Sequence, residues 1–225
     1  MQKSYFVLLG GPGSGKGTQA ELASKEFGLG HLSTGEKFRT LWKSTQLTPL
    51  EKEIKEHVEA GGYVPDNMTN ELTLQWLHAP EYVNGAFLDG YPRTLPQVFA
   101  FEDMLLKLNG ALKAAFFFNV NKEALIIRIT KRVTCASCGA TFNTVTNPSK
   151  IPGICDIDGG VLEARADQEG AAVTERFDMY FEKTQPIIDY YKKKHLLIEI
   201  NGESSITDVY SDFAMALHRF IKSKN

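Results

Sequence analysis

The stretch Gly10-Gly11-Pro12-Gly13-Ser14-Gly15-Lys16-Gly17-Thr18 directly follows the apolar run Tyr5-Phe6-Val7-Leu8-Leu9 and leads into a helical pattern at 19–27. Glycines let a backbone wrap closely around anionic oxygens, so that several N–H groups point at one phosphate. The helix that follows adds its positive N-terminal end, and Lys16 adds a full charge. The strand, turn and helix together predict a P-loop that binds a nucleoside triphosphate. The alternative is a glycine-rich turn that binds no ligand.

Composition limits the classes of protein that the chain can belong to. Its 225 residues suit one large domain with insertions. The formal net charge of −2 argues against a nucleic-acid or anionic-membrane surface, since both usually need an excess of Lys and Arg. The apolar run at 114–120 is too short to cross a bilayer, and the short run before Gly10 does not form a secretory signal. We therefore expect a cytoplasmic enzyme that has neither nucleic acid nor a membrane as a partner.

Short apolar runs recur along the chain with helical segments between them. They lie at 5–9, 86–88, 114–120 and 196–200, with a weaker one at 30–33. Runs of this kind are typical of parallel strands that helices cover on both faces. The pattern predicts an α/β fold with a three-layer core around a parallel sheet, as in P-loop NTPases. We expect its last helix to extend from about Ile206 to Lys222.

Two stretches do not fit a minimal sheet of this kind. Residues 35–84 show helical pattern, at 50–60 and 67–77, without a convincing strand. Residues 133–164 are rich in Cys, Gly, Pro, Thr and Asn, with short β-like pieces. We predict a helical insertion at 34–63, with about 84 as its alternative end, and a compact lid at 133–164. The core domain would then comprise 1–33, 64–132 and 165–225.

A second group of polar residues follows the predicted strand at 86–88. Asp89 stands at the end of that strand, where a carboxylate beside a P-loop can hold Mg²⁺ through its waters. Gly90, Pro92 and Arg93 then describe a fixed turn that carries a guanidinium, a group suited to bidentate phosphate binding. Another arginine, Arg39, lies shortly after the weak strand at 30–33.

In their order along the chain, these motifs resemble those of an adenylate kinase of the long-lid type. The matching residues are 10–18, Ser33-Thr34-Gly35 with Arg39, Val64-Pro65-Asp66, 89–94 with Pro96-Gln97, Arg128, Arg132, Arg165-Ala166-Asp167, Arg176 and Asn201-Gly202. The resemblance implies that the helical insertion binds the nucleoside monophosphate and that the lid closes over the site. It also implies the reaction MgATP + AMP = 2 ADP, in which no general base is needed because the attacking phosphate oxygen is already ionised. The resemblance further implies a monomer.

The resemblance assigns three overlapping sets of residues. The catalytic set is Lys16, Asp89, Arg93, Arg132, Arg165, Asp167 and Arg176. The ATP-binding set is Gly13, Ser14, Gly15, Lys16, Gly17, Thr18, Arg128, Arg132, Thr141, Phe142 and Ser204. The AMP-binding set is Thr34, Arg39, Gly62, Tyr63, Val64, Gly90, Tyr91, Pro92, Arg93, Gln97, Arg165 and Arg176. Gln97 and Thr34 would read the adenine of AMP. Arg128, which we place on one helix with Arg132, would stack on the adenine of ATP, and its alternative is a solvated surface charge.

The lid carries a metal-ligand pattern. Cys135-x-x-Cys138 is followed, after a hairpin-like stretch, by Cys155-x-x-Asp158. Two paired-ligand turns at this spacing predict a closed tetrahedral Zn²⁺ site with a structural role, and Asp158 takes the place of a fourth cysteine. The alternative is a set of three reduced thiols in a lid held by hydrophobic contacts.

Two rival functions remain open from the sequence. The first is a kinase that prefers UMP or CMP as the acceptor. The second is a P-loop module that binds nucleotide without turning it over. The arginines that would converge on a second phosphate favour an enzyme, because a module that binds ATP alone has no use for them.

Overall fold

A five-stranded parallel sheet forms the centre of the protein in the computed structural model, which describes residues 2–59, 64–164 and 171–222. The described strands are β1 (Lys3–Leu9), β2 (Gly30–Ser33), β3 (Gly85–Asp89), β4 (Gly110–Asn119), β5 (Arg132–Cys135), β6 (Thr141–Asn143), β7 (Leu162–Ala164) and β8 (Leu197–Asn201). The central sheet has the order β2-β3-β1-β4-β8, and all its neighbouring strands are parallel. All five apolar runs of the sequence, including the weak one at 30–33, correspond to these strands, with at most one residue of a run outside its strand.

Helices cover both faces of this sheet. The described helices are α1 (Lys16–Phe27), α2 (Thr34–Lys43), α3 (Pro49–Glu59), α4 (Asp66–Trp76), α5 (Leu95–Lys107), α6 (Lys122–Thr130), α7 (Ala171–Lys193) and α8 (Ile206–Leu217). Consecutive residues of β1 face opposite layers, because side chains alternate along a strand. Tyr5 and Val7 pack in one core cluster with Phe101 of α5, whereas Phe6 packs in another with Phe213 of α8. The three-layer α/β core is thereby confirmed.

Residues 34–76 contain the helices of the first predicted insertion. Leu41 of α2, Ile54 of α3 and Leu72 of α4 are buried against one another and form a small hydrophobic cluster of their own. The helical patterns predicted at 50–60 and 67–77 correspond to α3 and α4, within one residue at each end. How the chain divides into domains stays a prediction.

Residues 132–164 contain a second, antiparallel sheet with the order β6-β5-β7. Arg132 pairs with Asn143, and Val133 pairs with both Phe142 and Ala164. The expectation that Arg128 and Arg132 share a helix was wrong, since α6 ends at Thr130 and Arg132 begins β5. The carbonyl of Lys131 accepts from the backbone N–H of Thr144, 2.9 Å away, and this contact turns the chain into the sheet.

The last helix is shorter than predicted. It ends at Leu217 and not near Lys222. Beyond it, the N–H groups of Phe220 and Ile221 both bond to the carbonyl of Leu217, and the ring of Phe220 packs edge-on at 6.0 Å from that of Phe6. The apolar residues after 217 therefore face the core from a turn. Among the described residues, no helix combines the length and apolarity that a membrane span requires.

Candidate active site

The turn between β1 and α1 has the geometry of an anion-binding loop. Gly13 and Gly15 both adopt φ of 87°, a left-handed conformation that favours glycine. A Cβ on Gly13 would lie 3.0 Å from the carbonyl oxygen of Leu125, so the turn also packs too closely against α6 for a side chain. No side chain caps α1, and no acidic residue lies in its first turn. The N–H groups at this helix end are therefore left for an anion.

Lys16 and Asp89 lie next to this turn at the carboxyl ends of β1 and β3. Lys16 Nζ is 3.8 Å from Asp89 Oδ1 and 3.4 Å from the carbonyl oxygen of Gly11. His31 Nε2 approaches the other carboxylate oxygen of Asp89, at 3.9 Å. Burial alone would raise the pKa of Asp89, but Lys16 and His31 outweigh it and hold that pKa below its usual value. Asp89 is therefore an ionised carboxylate in a mostly buried place, as a ligand of hydrated Mg²⁺ must be.

The turn after Asp89 places the guanidinium of Arg93 in the same cleft as Lys16 and Asp89. The Tyr91–Pro92 peptide bond is cis, and Arg93 Nε donates to the carbonyl of Gly90 at 2.7 Å. Thr34 Oγ1, from the start of α2, donates to the same carbonyl at 2.9 Å. One backbone oxygen thus holds both Arg93 and the N-terminal end of α2.

A buried network fixes the start of α5 against α4. Gln97 Oε1 accepts from the backbone N–H of Arg93 at 2.7 Å, and Gln97 Nε2 donates to Asp66 Oδ1 at 2.7 Å. Thr94 Oγ1 donates to the other oxygen of Asp66 at 2.7 Å, and Thr94 also caps α5. Both ends of the Gln97 amide are therefore occupied within the protein, and its side chain is buried.

Arg128 joins α6 to the loop between β8 and α8. Its Nη1 donates to the carbonyl of Gly202 at 2.7 Å, and its Nη2 donates to the carbonyl of Glu203 at 3.2 Å. The sequence left two interpretations of Arg128 open, a contact with the adenine of ATP and a solvated surface charge. The guanidinium is tied to two main-chain oxygens, which fixes its plane at the edge of the cleft.

A single cleft of about 1650 Å³ lies between the P-loop, the start of α2, α6, the small sheet and α7. The assigned residues that line it are Gly13, Ser14, Gly15, Lys16, Gly17, Thr18, Arg39, Asp89, Gly90, Pro92, Arg93, Arg128, Arg132, Thr141, Phe142 and Ser204. The cleft thus brings Lys16 and four arginines of the described chain to one volume, which can hold two polyanions.

Some assigned residues do not line this cleft. Thr34, Tyr91 and Gln97 are buried behind it, and Val64 also lies outside its lining. Gly62, Tyr63, Arg165, Asp167 and the side chain of Arg176 lie outside the described residues, and their roles stay predictions.

The cleft also has lining residues that the sequence analysis missed. Tyr180, Lys183 and Thr184 reach it from α7. Their spacing of i, i+3 and i+4 places them on one face of the helix. Phe177 and Ile187, which precede and follow these three residues on the same helix, are both buried. A polar stretch between two buried apolar residues is the sequence signal that could have identified Tyr180, Lys183 and Thr184.

The lid brings the four predicted metal ligands together. The Sγ atoms of Cys135, Cys138 and Cys155 and a carboxylate oxygen of Asp158 all lie within 4.8 Å of one another. Cys135 Sγ is 3.3 Å from Asp158 Oδ1, and Cys138 Sγ is 3.7 Å from Cys155 Sγ. Zn–S bonds of about 2.3 Å in a tetrahedron place two sulfurs about 3.8 Å apart. The donor set and its spacing therefore fit Zn²⁺.

The two ligand turns have the same backbone hydrogen bonds, twenty residues apart. In the first, Cys135 N–H donates to the Ala140 carbonyl at 2.8 Å, and Gly139 N–H donates to the Cys135 carbonyl at 3.0 Å. In the second, Cys155 N–H donates to the Gly160 carbonyl at 2.8 Å, and Gly159 N–H returns to Cys155 at 3.0 Å. Asp158 is thus the structural equivalent of Cys138, which supports its selection as the fourth ligand.

Comparisons with known proteins agree with this geometry. A family model described as "Adenylate kinase" matches residues 8–196. Three curated relatives, each named adenylate kinase, illustrate the similarity. The chain is 40% identical to the protein of Bacillus velezensis over 207 residues, which is 92% of this chain and 94% of the relative. The identity is 41% over 214 residues for Methanocella arvoryzae, with 95% and 98% coverage, and 42% over 211 residues for Caldanaerobacter subterraneus subsp. tengcongensis, with 94% and 95%.

Proposed function

The chain belongs to the adenylate kinase family, and from that membership we propose which of its residues carry out the reaction in the cleft. The protein is an ATP:AMP phosphotransferase, an enzyme that catalyses the reversible reaction MgATP + AMP = 2 ADP. One observation supports the residue roles above all others. The P-loop lysine, Asp89 and the described arginines of both predicted phosphate sites line one cleft.

The chemistry needs positioning and charge more than proton transfer. Both substrates are polyanions, and the attacking phosphate oxygen of AMP is already ionised at neutral pH. Lys16, Arg93 and Arg132 would offset the repulsion between the substrates and stabilise the charge that spreads over the transferring phosphoryl group. The P-loop N–H groups would hold the phosphates of ATP, and Arg39 would bind the phosphate of AMP. Their fixed positions hold the reacting oxygens in line.

Asp89 would hold the magnesium ion of MgATP through the waters of that ion. When bound, the ion would supply positive charge that neutralises the charge developing on the phosphates. The residues present fit this role, since Asp89 is ionised, lies 3.8 Å from Lys16 and lines the same cleft. Lys16 both balances the charge of Asp89 in the free enzyme and points its ammonium group at the P-loop.

Cys135, Cys138, Cys155 and Asp158 would hold a structural Zn²⁺ in the lid. Four protein ligands close the coordination shell, so the ion would stabilise the small sheet and take no part in the transfer. We also propose that the enzyme acts as a cytoplasmic monomer without nucleic-acid or membrane partners, on the basis of the resemblance and of the net charge of −2.

A coupled assay of ADP formation from MgATP tests this proposal when AMP, UMP, CMP and GMP are supplied in parallel. We expect a strong preference for AMP. A preference for UMP or CMP would keep the fold and mechanism but overturn the acceptor assignment. No turnover with any acceptor, in protein shown to be folded by circular dichroism, would leave only a nucleotide-binding module.

A further inference from the structure

The carboxylate of Glu203 ties the loop between β8 and α8 to the start of α6. Its Oε1 accepts two hydrogen bonds from Asn121, one from the backbone N–H at 2.9 Å and one from Nδ2 at 2.7 Å. Asn121 is itself the N-cap of α6, where its Oδ1 accepts from the backbone N–H of Ala124 at 2.8 Å. Glu203 and Ser204 also line the cleft. The side-chain contact therefore fixes a segment of backbone that faces the nucleotide.

Arg128 holds the same loop from one helical turn further along α6. It donates to the carbonyls of Gly202 and Glu203, and the N–H of Gly202 donates to the carbonyl of Asn119 at 2.8 Å. The loop packs so closely on β4 that a Cβ on Gly202 would lie 2.6 Å from Val120 Cγ2. These contacts set the position of the loop, together with a hydrogen bond from the Glu203 backbone N–H to Asn201 Oδ1 at 3.1 Å. The side chain of Glu203 contributes its two hydrogen bonds from Asn121.

We propose that Glu203 is a positioning residue for the nucleobase of ATP, which it serves by orienting this loop and the guanidinium of Arg128. The proposal rests on the proposed function, in which Arg128 and the loop at Ser204 contact the base. The main-chain carbonyls of Gly202 and Glu203 each accept one hydrogen bond from Arg128 and keep a second lone pair as an acceptor. Such a surface favours a base with an exocyclic amino donor, as in adenine, over one with an oxygen acceptor at the same position, as in guanine.

A purely structural role is the alternative, and the chain offers a matched control for it. Glu199 lies on the neighbouring strand β8 and accepts a hydrogen bond from Asn119 Nδ2 at 2.7 Å. Like Glu203, it is an exposed carboxylate bonded to an asparagine, but it does not line the cleft. Glu199→Ala removes a comparable surface contact without touching the nucleotide side of the loop.

The test compares Glu203→Ala, Glu203→Gln and Glu199→Ala with the wild-type enzyme in steady-state kinetics. For Glu203→Ala we expect the KM for ATP to rise about 3- to 10-fold, because one or two hydrogen bonds that order the loop are lost. The ratio of kcat/KM for ATP to that for GTP should fall by a similar factor. The KM for AMP and kcat should change less than about twofold. Glu203→Gln should retain part of the wild-type behaviour, because its amide oxygen can still accept from Asn121.

Asn121→Ser tests the other partner of this contact. Serine keeps a good N-cap for α6 but lacks the amide donor to Glu203, so we expect a smaller shift in the same direction. Equilibrium titrations of each variant with a fluorescent ATP analogue, displaced by ATP or GTP, measure the base preference without turnover.

The inference would be overturned if Glu203→Ala behaved like Glu199→Ala in both assays, or if its losses fell equally on ATP, GTP and AMP. A wild-type protein that binds ATP but produces no ADP would instead contradict the proposed residue roles, and the displacement titrations would still decide the role of Glu203.

Discussion

Replacing Arg93 by alanine should separate an effect on catalysis from an effect on folding. Arg93 lies in the cleft with its Nε bonded to the Gly90 carbonyl at 2.7 Å. The substitution deletes that one hydrogen bond and one positive charge. The backbone N–H of Arg93, which donates to Gln97, is retained. We expect the free energy of unfolding to fall by about 0.5–1.5 kcal/mol, which for a chain of this size lowers Tm by roughly 1–6 °C.

The effect on turnover should be far larger. Removal of a single preorganised donor to a developing negative charge costs about 10²–10³ in rate, and an arginine that serves phosphoryl transfer is worth at least that much. We therefore expect kcat/KM for AMP to fall by about 10²–10³. Binding of ATP alone should change little, since the ATP contacts of the P-loop are left in place.

The assay is ADP formation from MgATP and AMP, run beside thermal unfolding and an ATP titration of the same preparation. Arg219→Ala is the matched control, because Arg219 is exposed beyond α8 and its side chain makes no hydrogen bond or ion pair with the described residues. Turnover of folded Arg93→Ala within tenfold of the wild type would refute the argument that Arg93 neutralises charge between the two substrates.

Three further changes test the metal site, the core and the backbone. Asp158→Ala should lower the zinc content measured by atomic emission and lower Tm, while a zinc content equal to that of the wild type would remove Asp158 from the ligand set. Phe213→Ala should lower the free energy of unfolding in urea by about 3–5 kcal/mol, because its buried ring packs against three other phenylalanine rings. Gly85→Ala and Gly153→Ala both place alanine at positive φ, which costs about 1–2 kcal/mol, but only at Gly85 would the Cβ collide with the backbone of Ser4. Gly85→Ala should therefore be much the more destabilising of the two in the same urea titration.

The sheet could be predicted because its strands are buried on both faces. In β3 and β4 almost every inward position is apolar, so the runs at 86–88 and 114–120 stand out from the sequence. The edge strand β2 gave a weak signal, since it has four residues and includes His31. Its place depends on pairing with β3, in which Ser33 lies opposite Asp89. Pairing between distant segments is a tertiary fact that no local pattern contains.

The strands of the small sheet were even harder to predict from local sequence. Its strands have three or four residues each, too few for an alternation to be read. The clustering of the three cysteines with Asp158 was predictable because cysteine spacing is a chemical signal. The end of α6 was not, because the hydrogen bond from Thr144 that turns the chain at Lys131 comes from a residue thirteen positions away.

In the candidate site, too, some residues could be predicted from local sequence and others could not. The positions of Lys16 and Asp89 in the cleft were predictable, because binding a phosphate calls for a cation and holding a hydrated Mg²⁺ calls for a carboxylate. Tyr180 and Lys183 were missed, because the polar stretch between the buried Phe177 and Ile187 does not by itself show what that stretch faces. Glu203 was also missed, because its proposed role depends on a contact with Asn121, which lies 82 residues earlier in the chain.

The predicted role of Gln97 conflicts with the contacts that its side chain makes in this structure. Gln97 is buried outside the lining of the cleft, so its amide must shift to reach the adenine of AMP. Such a shift would change its hydrogen bonds with Asp66, 2.7 Å from Nε2, and with Arg93, whose backbone N–H is 2.7 Å from Oε1. Binding of the base would then also alter the support of Arg93, so the two residues should be coupled. In a double-mutant cycle for kcat/KM with AMP, Gln97→Ala combined with Arg93→Ala should cost clearly less than the sum of the single changes, since groups that act as a unit are not additive. Strict additivity would mean that Gln97 acts on AMP independently of Arg93, or only supports the fold.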